Sequence, residues 1–164
     1  MKFVEVRQDD PLAGPLLDDL QREYGSRYGR LDGTEYQDLR AYDAAEFAPP
    51  GGVLVVATVD GEPVAGGAFR RYDESTAELK RIWTAAAHRR RGYGALVVAE
   101  LERIAVQRGY TRVYLTTGPR QPEAVGLYLA AGYTPLFDVT RSAAEIGVHP
   151  FEKRLSSPPP KGSP

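Results

Sequence analysis

Residues 76–94 read Thr-Ala-Glu-Leu-Lys-Arg-Ile-Trp-Thr-Ala-Ala-Ala-His-Arg-Arg-Arg-Gly-Tyr-Gly, and the fold turns on them. Thr76 to Thr84 reads as a strand. From Gly92 the period changes: Val97, Leu101, Ile104 and Ala105 mark one face of a helix, and Gly109 closes it as a C-cap. Thr111 to Thr117 is a strand again, so the stretch opens a strand–helix–strand crossover. Upstream, the β-branched run Val53 to Val59 meets Asp60-Gly61, a strong hairpin signal, and Val64 to Arg71 returns antiparallel. Three consecutive antiparallel strands followed by a crossover predict a mixed α+β sheet, not a doubly wound one.

Further out, Lys2 to Arg7 reads as a first strand. Asp9 or Asp10 before Pro11 starts a helix on which Leu16, Leu17, Leu20 and Tyr24 recur at helical spacing, until Gly25, Gly29 and Gly33 break it. Thr34 to Glu46 is a second, weaker helix, ended before Pro49-Pro50-Gly51-Gly52. After the crossover, Pro122 opens another helix, Gly132 ends it, and Tyr133 to Val139 and Pro150 to Leu155 are final strands. The predicted order is β-α-α-β-β-β-α-β-α-β-β. One domain over residues 1–155 is expected, with a disordered Pro/Ser/Gly tail at 156–164.

Composition narrows the chemistry. The chain has no cysteine, which excludes disulfides, thiolate metal sites and a Cys nucleophile. His88 and His149 are its only histidines, so no metal centre is expected. No apolar run approaches the roughly 20 residues that span a bilayer, and Met1 to Val6 is no secretory signal. No membrane association and a cytoplasmic location are the expectations. The net charge of −1 hides an asymmetry: residues 1–79 carry 8 basic and 16 acidic side chains, and residues 80–120 carry 9 and 2. A basic middle suits an anionic ligand such as phosphate, though opposite charges neutralising each other on folding would give the same pattern.

The turn itself favours phosphate. A helix start leaves about four N–H groups without intrahelical partners, at the positive end of the helix dipole. Gly92 and Gly94 let the backbone curl close to an anion, and Arg89, Arg90 and Arg91 add forked cationic donors. Neither Gly-x-Gly-x-x-Gly nor Gly-x-x-x-x-Gly-Lys occurs, which counts against nicotinamide and P-loop nucleotides.

The spacing Arg89-x-x-Gly92-x-Gly94 resembles the acyl-CoA pyrophosphate motif of the GNAT superfamily of N-acetyltransferases, and Ala77 to Thr84 resembles the strand that runs into it. Gln121-Pro122-Glu123-Ala124-Val125-Gly126-Leu127-Tyr128-Leu129-Ala130-Ala131-Gly132-Tyr133 is similar to that family's Asn-x-x-Ala-x-x-Leu-Tyr-x-x-x-Gly-Phe helix, with Gln121 in place of Asn. Phe151 to Leu155 looks like its last strand. Together these cover roughly Thr76 to Leu155. The resemblance implies a mostly antiparallel mixed sheet of six or seven strands, flanked by about four helices.

It also implies a site. Acetyl-CoA would lie in a splayed gap between Ile82–Thr84 and Val113–Thr117, with backbone groups of Ile82 and Thr84 on the pantetheine arm. Arg89, Arg90, Arg91, Gly92, Tyr93, Gly94 and Ala95 would hold the pyrophosphate, with Trp83, Thr117, Gln121, Ala124, Leu127 and Tyr128 completing the cofactor set. The chemistry would be direct attack of an amine, since no Cys is present to carry the acyl group. An alkylamine, with a pKa near about 10.4, must shed a proton first. Glu78 is the candidate base, with ion pairing to Lys80 or Arg71 as the structural alternative. Tyr128 is the candidate acid toward the CoA sulfur, with plain packing as its alternative, and a strand N–H near Thr84 would meet the oxyanion. The acceptor site would draw on Tyr24, Tyr28 and Glu78. The acidic first half favours a cationic or amino-acid-like amine and argues against a nucleic-acid partner. Protein lysine or N-terminal acetylation, and a non-catalytic acyl-CoA sensor, are the rival readings. Many members of the superfamily are dimers, which leaves a homodimer open.

Overall fold

The computed structural model describes residues 1–28, 44–117, 122–137, 140 and 149–155; for 23–28, 44, 122 and 123 only the backbone is described. The predicted helix at 34–46 lies mostly outside the described residues; its described end belongs to a 3-10 turn, Ala44–Phe47. The tail at 156–164 also lies outside them.

Among the described residues seven strands form one sheet: β1 (Lys2–Glu5), β2 (Val53–Val59), β3 (Glu62–Asp73), β4 (Thr76–Thr84), β5 (Arg112–Thr117), β6 (Thr134–Pro135) and β7 (His149–Arg154), in spatial order β1-β2-β3-β4-β5-β7-β6. Every neighbouring pair is antiparallel except β4 and β5. The Asp60-Gly61 hairpin forms as read, both residues taking positive φ. Of the strand predicted at 133–139, Thr134 and Pro135 pair with β7 and the Leu136 N–H donates to Pro150 O at 2.9 Å, while residues 138 and 139 lie outside the described residues.

Three α-helices are described: α1 (Gly14–Tyr28), α2 (Tyr93–Gln107) and α3 (Pro122–Ala130). Asp10 starts the first helical segment by accepting from the Leu12 N–H at 2.9 Å, one turn before α1. The alternating side chains of the sheet feed two apolar layers. On one face, Val97, Val98, Leu101, Ile104 and Ala105 of α2 pack on Val53, Val55, Phe69, Ala77, Leu79, Val113 and Leu115, and α3 adds Tyr128 to the same core. On the other, Leu16, Leu17 and Leu20 of α1 and Phe47 pack on Leu54, Ala68 and Trp83. A helix thus covers each face of β3. At Gly66 a Cβ would stand 2.8 Å from Leu16 Cδ1, and at Gly67 one would stand 3.0 Å from Val97 Cγ1, so this glycine pair is what lets both helices close down on one strand.

Candidate active site

β4 and β5 pair over three rungs, Thr76 with Arg112, Ala77 with Val113 and Glu78 with Tyr114, and there the pairing stops. Both strands continue, β4 to Thr84 and β5 to Thr117, with no ladder between them. The cause lies on β4. Its register against β3 slips between Lys80 and Trp83, so Gly67 faces both Arg81 and Ile82. Arg81 is the bulged residue, with φ +60°. A bulge bends its strand and ends regular pairing, and a non-glycine left-handed residue persists only where its surroundings hold it. Here the buried Arg81 guanidinium lies 4.3 Å over the Phe47 ring and donates to Gln8 Oε1 at 2.5 Å. The Ala85 N–H donates to Val64 O on β3 at 2.8 Å. By strand alternation, the peptide groups of Ile82 and Thr84 therefore turn the other way, into the gap.

At the open end of the gap, Ala86–His88 makes one 3-10 turn and the chain curls into α2 through Arg90 (φ +65°) and Gly92 (φ +80°). No side chain caps α2, and the Leu96 N–H to Gly92 O bond of 3.2 Å opens the helix ladder. The N–H groups of Tyr93, Gly94 and Ala95 precede that bond and have no intrahelical acceptor. Arg89, Arg90 and Arg91 are exposed around them, and Arg89 Nε reaches back to Thr84 O at 3.4 Å, tying the turn to the end of β4. His88 sits beside the turn with its ring 6.0 Å from that of Tyr93.

α3 forms the second wall. Leu127 comes within 3.4 Å of where a Cβ on Gly94 would stand, so α3 touches the first turn of α2. Ala124 and Leu127 are half-buried against the core. Tyr128 is buried, its ring 5.5 Å from that of Tyr133 and 5.7 Å from that of Phe151. Thr117, at the open end of β5, is buried with no hydrogen-bond partner for its Oγ1. Orphaned buried hydroxyls are uncommon, and this one suits a polar ligand in the gap. Free helix amides beside three arginines and unladdered strand peptide groups are likewise a donor set that fits a phosphorylated, amide-bearing group.

The opposite face of the sheet carries Glu78, buried and already engaged. Arg70 Nε donates to its Oε1 at 2.9 Å while Arg70 Nη1 donates to Glu46 Oε1 at 2.9 Å, and Lys80 Nζ stands 3.8 Å from Oε2. The ion-pair alternative is thus present, with Arg70 in place of Arg71 and on a buried face. Beside it, the Tyr114 phenol is pushed above its ordinary range by burial and by the neighbouring Tyr72 and Glu78, with Arg112 partly offsetting this. The Tyr72 and Tyr114 rings meet at 4.8 Å across β4. Along α1 runs a cleft of about 700 Å³ lined by Pro15, Asp18, Asp19, Gln21 and Arg22. Asp19 there accepts from Trp83 Nε1 at 2.9 Å, so the Trp83 indole belongs to the α1 layer and not to the gap. Tyr24 and Tyr28 lie on the last turns of α1 with side chains outside the described residues, and Gln121 lies outside them entirely.

Arg70, Glu46 and Tyr114 were not singled out by sequence. Tyr114 could have been found by pairing β5 against β4, but nothing local marks Glu46.

The Acetyltransferase (GNAT) family model matches residues 15–133 of the chain. A search of curated proteins finds no significant match. Among solved structures, a Klebsiella pneumoniae protein assigned as an acyl-CoA N-acyltransferase superposes with a TM-score of 0.74 at 22% identity, over 94% of this chain and 97% of that one. An acetyltransferase from Streptococcus agalactiae gives 0.72 at 20% identity, over 94% and 98%. An aminoglycoside 6'-N-acetyltransferase complexed with coenzyme A gives 0.70 at 19% identity, over 98% and 100%. These likenesses speak for the fold, and the family match, spanning the gap, the arginine–glycine turn and all of α3, speaks for more: the chain belongs to the GNAT family of acetyltransferases.

Proposed function

We propose that the protein moves an acetyl group from acetyl-CoA directly to a primary amine, and that the amine is a small cationic or amino-acid-like molecule. The observation that carries the reading is the unzipping of β4 from β5 after Glu78 and Tyr114, with an uncapped helix start and three arginines at its mouth. Bound acetyl-CoA supplies an activated thioester. On this reading Arg89, Arg90, Arg91 and the Gly92–Ala95 amides bind the pyrophosphate, and the Ile82 and Thr84 peptide groups take the pantetheine arm. The Thr117 hydroxyl gains the partner it lacks. Tyr128 donates its phenolic proton to the departing sulfur.

The two candidate catalytic side chains stand on opposite faces of the sheet, and the gap joins those faces. The amine therefore approaches from the α1 side. Acidic groups line that approach: Asp18 and Asp19 along the cleft, then Glu46 and Glu78. They suit a cation. Several structures that share the fold are aminoglycoside acetyltransferases, which act on amine-bearing acceptors. Glu78, held by Arg70 and faced by Lys80, takes the amine proton through a water and not by contact. The same pairing favours a second reading, an acyl-CoA sensor that binds without transferring.

Thiol release from acetyl-CoA across polyamines, amino acids, arylalkylamines and short peptides separates the two. Release with one amine class supports transfer and names the acceptor, while binding without release supports the sensor or a macromolecular acceptor. Tyr128→Phe lowers the rate at least about tenfold with acetyl-CoA affinity retained; an unchanged rate removes Tyr128 as the acid.

A further inference from the structure

α3 ends in a six-residue closure: the Tyr133 N–H donates to Tyr128 O at 2.9 Å, the Gly132 N–H donates to Leu129 O at 3.2 Å, and Gly132 takes φ +90°. The backbone bond and the edge-to-face contact of the two rings make Tyr128 and Tyr133 one unit. Tyr133 is buried, and its hydroxyl donates to Glu102 Oε2 on α2 at 2.8 Å. Lys153 on β7 donates from Nζ to Glu102 Oε1 at 3.0 Å and Oε2 at 3.2 Å, and also to Ala131 O at 2.9 Å, a carbonyl that the end of α3 leaves over. One carboxylate thus ties together the helix whose start forms the arginine–glycine turn, the C-terminus of the helix that bears Tyr128, and the sheet. Burial and the Glu102 charge push the Tyr133 phenol far above the usual tyrosine range, so it stays a donor.

We propose that Glu102, acting through Tyr133 and Lys153, is a positioning residue that sets where Tyr128 stands relative to the cofactor turn. The proposal rests on the reading of Tyr128 as the acid. Glu102 itself is shared between α2, α3 and β7 and touches no reacting atom. A neutral amide in its place could still accept from Tyr133 but would no longer hold the Lys153 ammonium. That ammonium would then be free to leave Ala131 O, and the end of α3 would loosen while α2 kept its packing.

The test uses Glu102→Gln, Tyr128→Phe and the double variant, with two readouts. In the free protein, amide exchange at Gly132 and Tyr133 should quicken about tenfold in Glu102→Gln while Val98 and Leu101 keep their protection. In thiol release with the most active amine of the panel, kcat should fall about tenfold with KM for acetyl-CoA unchanged, and the double variant should be no slower than Tyr128→Phe alone. Unchanged exchange at Gly132 and Tyr133 overturns the proposal, as does a double variant slowed by the full product of the two single effects. Full activity in Tyr128→Phe instead removes the reading of Tyr128, and the positioning role falls with it even where the exchange result holds. Should Glu102→Gln fail to fold, Lys153→Met, which removes the ammonium from Glu102 and from Ala131 O and leaves the Tyr133–Glu102 bond in place, answers by the same two readouts.

Discussion

The two glycines of the arginine–glycine turn look alike in sequence, but the structure gives them opposite roles, and alanine substitution should move stability in opposite directions. Gly92 has φ +80° and ψ +10° with nothing within 4 Å of a built Cβ, so its requirement is conformational and not steric. An alanine held there costs about 1–2 kcal/mol, which lowers Tm by about 2–8 °C in a domain of this size. Relief by flipping the turn would instead turn the free amides of α2 away from an anion, at the expense of acetyl-CoA affinity. Gly94 lies inside α2, where a Cβ would meet Leu127 Cδ2 at 3.4 Å and Cδ1 at 3.7 Å, ordinary contact. Alanine there gains about 0.5–1 kcal/mol of helix propensity, a Tm rise of about 1–4 °C. Its methyl group points at α3 and not along the N–H mouth, so acetyl-CoA affinity should stay near that of the parent. Thermal unfolding of both variants, with calorimetric titration of acetyl-CoA, checks this. A destabilised Gly94→Ala, or a neutral Gly92→Ala with full affinity, would refute the division of labour.

Three further expectations follow from polar contacts elsewhere in the fold. Arg70→Met strips the main partner from buried Glu78 and should cost about 2–3 kcal/mol in urea unfolding, less than a fully buried pair because Arg70 is a quarter exposed; adding Glu78→Met should recover most of it. Asp19→Ala leaves the Nε1–H of the sole tryptophan, Trp83, buried without an acceptor and should cost about 1–3 kcal/mol, whereas Asp19→Asn, which keeps an acceptor oxygen, should cost little, as followed by Trp83 fluorescence. Arg103 holds the Glu100 carboxyl below its ordinary value of 4.5, by hydrogen bonding and by charge against an opposing burial effect. A lowered carboxylate pKa stabilises the fold above the unfolded value and loses that contribution as pH falls through the folded one. Arg103→Gln should therefore cost a few tenths of a kcal/mol, about 0.3–0.5, at neutral pH, and the difference should fade below pH 4.5. A cost that persists at acid pH would assign it to packing.

Apart from the helix expected at 34–46, most of which lies outside the described residues, the element order was readable because its signals are local. Asp60-Gly61 selects its own hairpin, Gly92 and Gly109 bracket α2, and Gly132 stops α3 by taking the left-handed conformation an L residue resists. The periodicities of 2 and 3.6 told which face of each element is apolar. Where local signals are weaker the boundary is less sharp: of the stretch Tyr133 to Val139, the described residues assigned to the strand are Thr134 and Pro135, with the Leu136 N–H also reaching Pro150 O.

Sequence alone therefore determined most of the described elements, the arginine–glycine turn that opens α2, and the family those motifs resemble, because each rests on preferences that act over a few residues. Tertiary structure alone decided where β4 leaves β5, since that depends on Arg81 bulging opposite Gly67 on another strand. It decided that Glu78 is held by an arginine eight residues back through the hairpin register, and that this arginine reaches on to Glu46. It also brought Glu102 to Tyr133 and Lys153, 31 and 51 residues away. Partners at such separations are chosen by strand register and helix packing, which no window of the sequence contains.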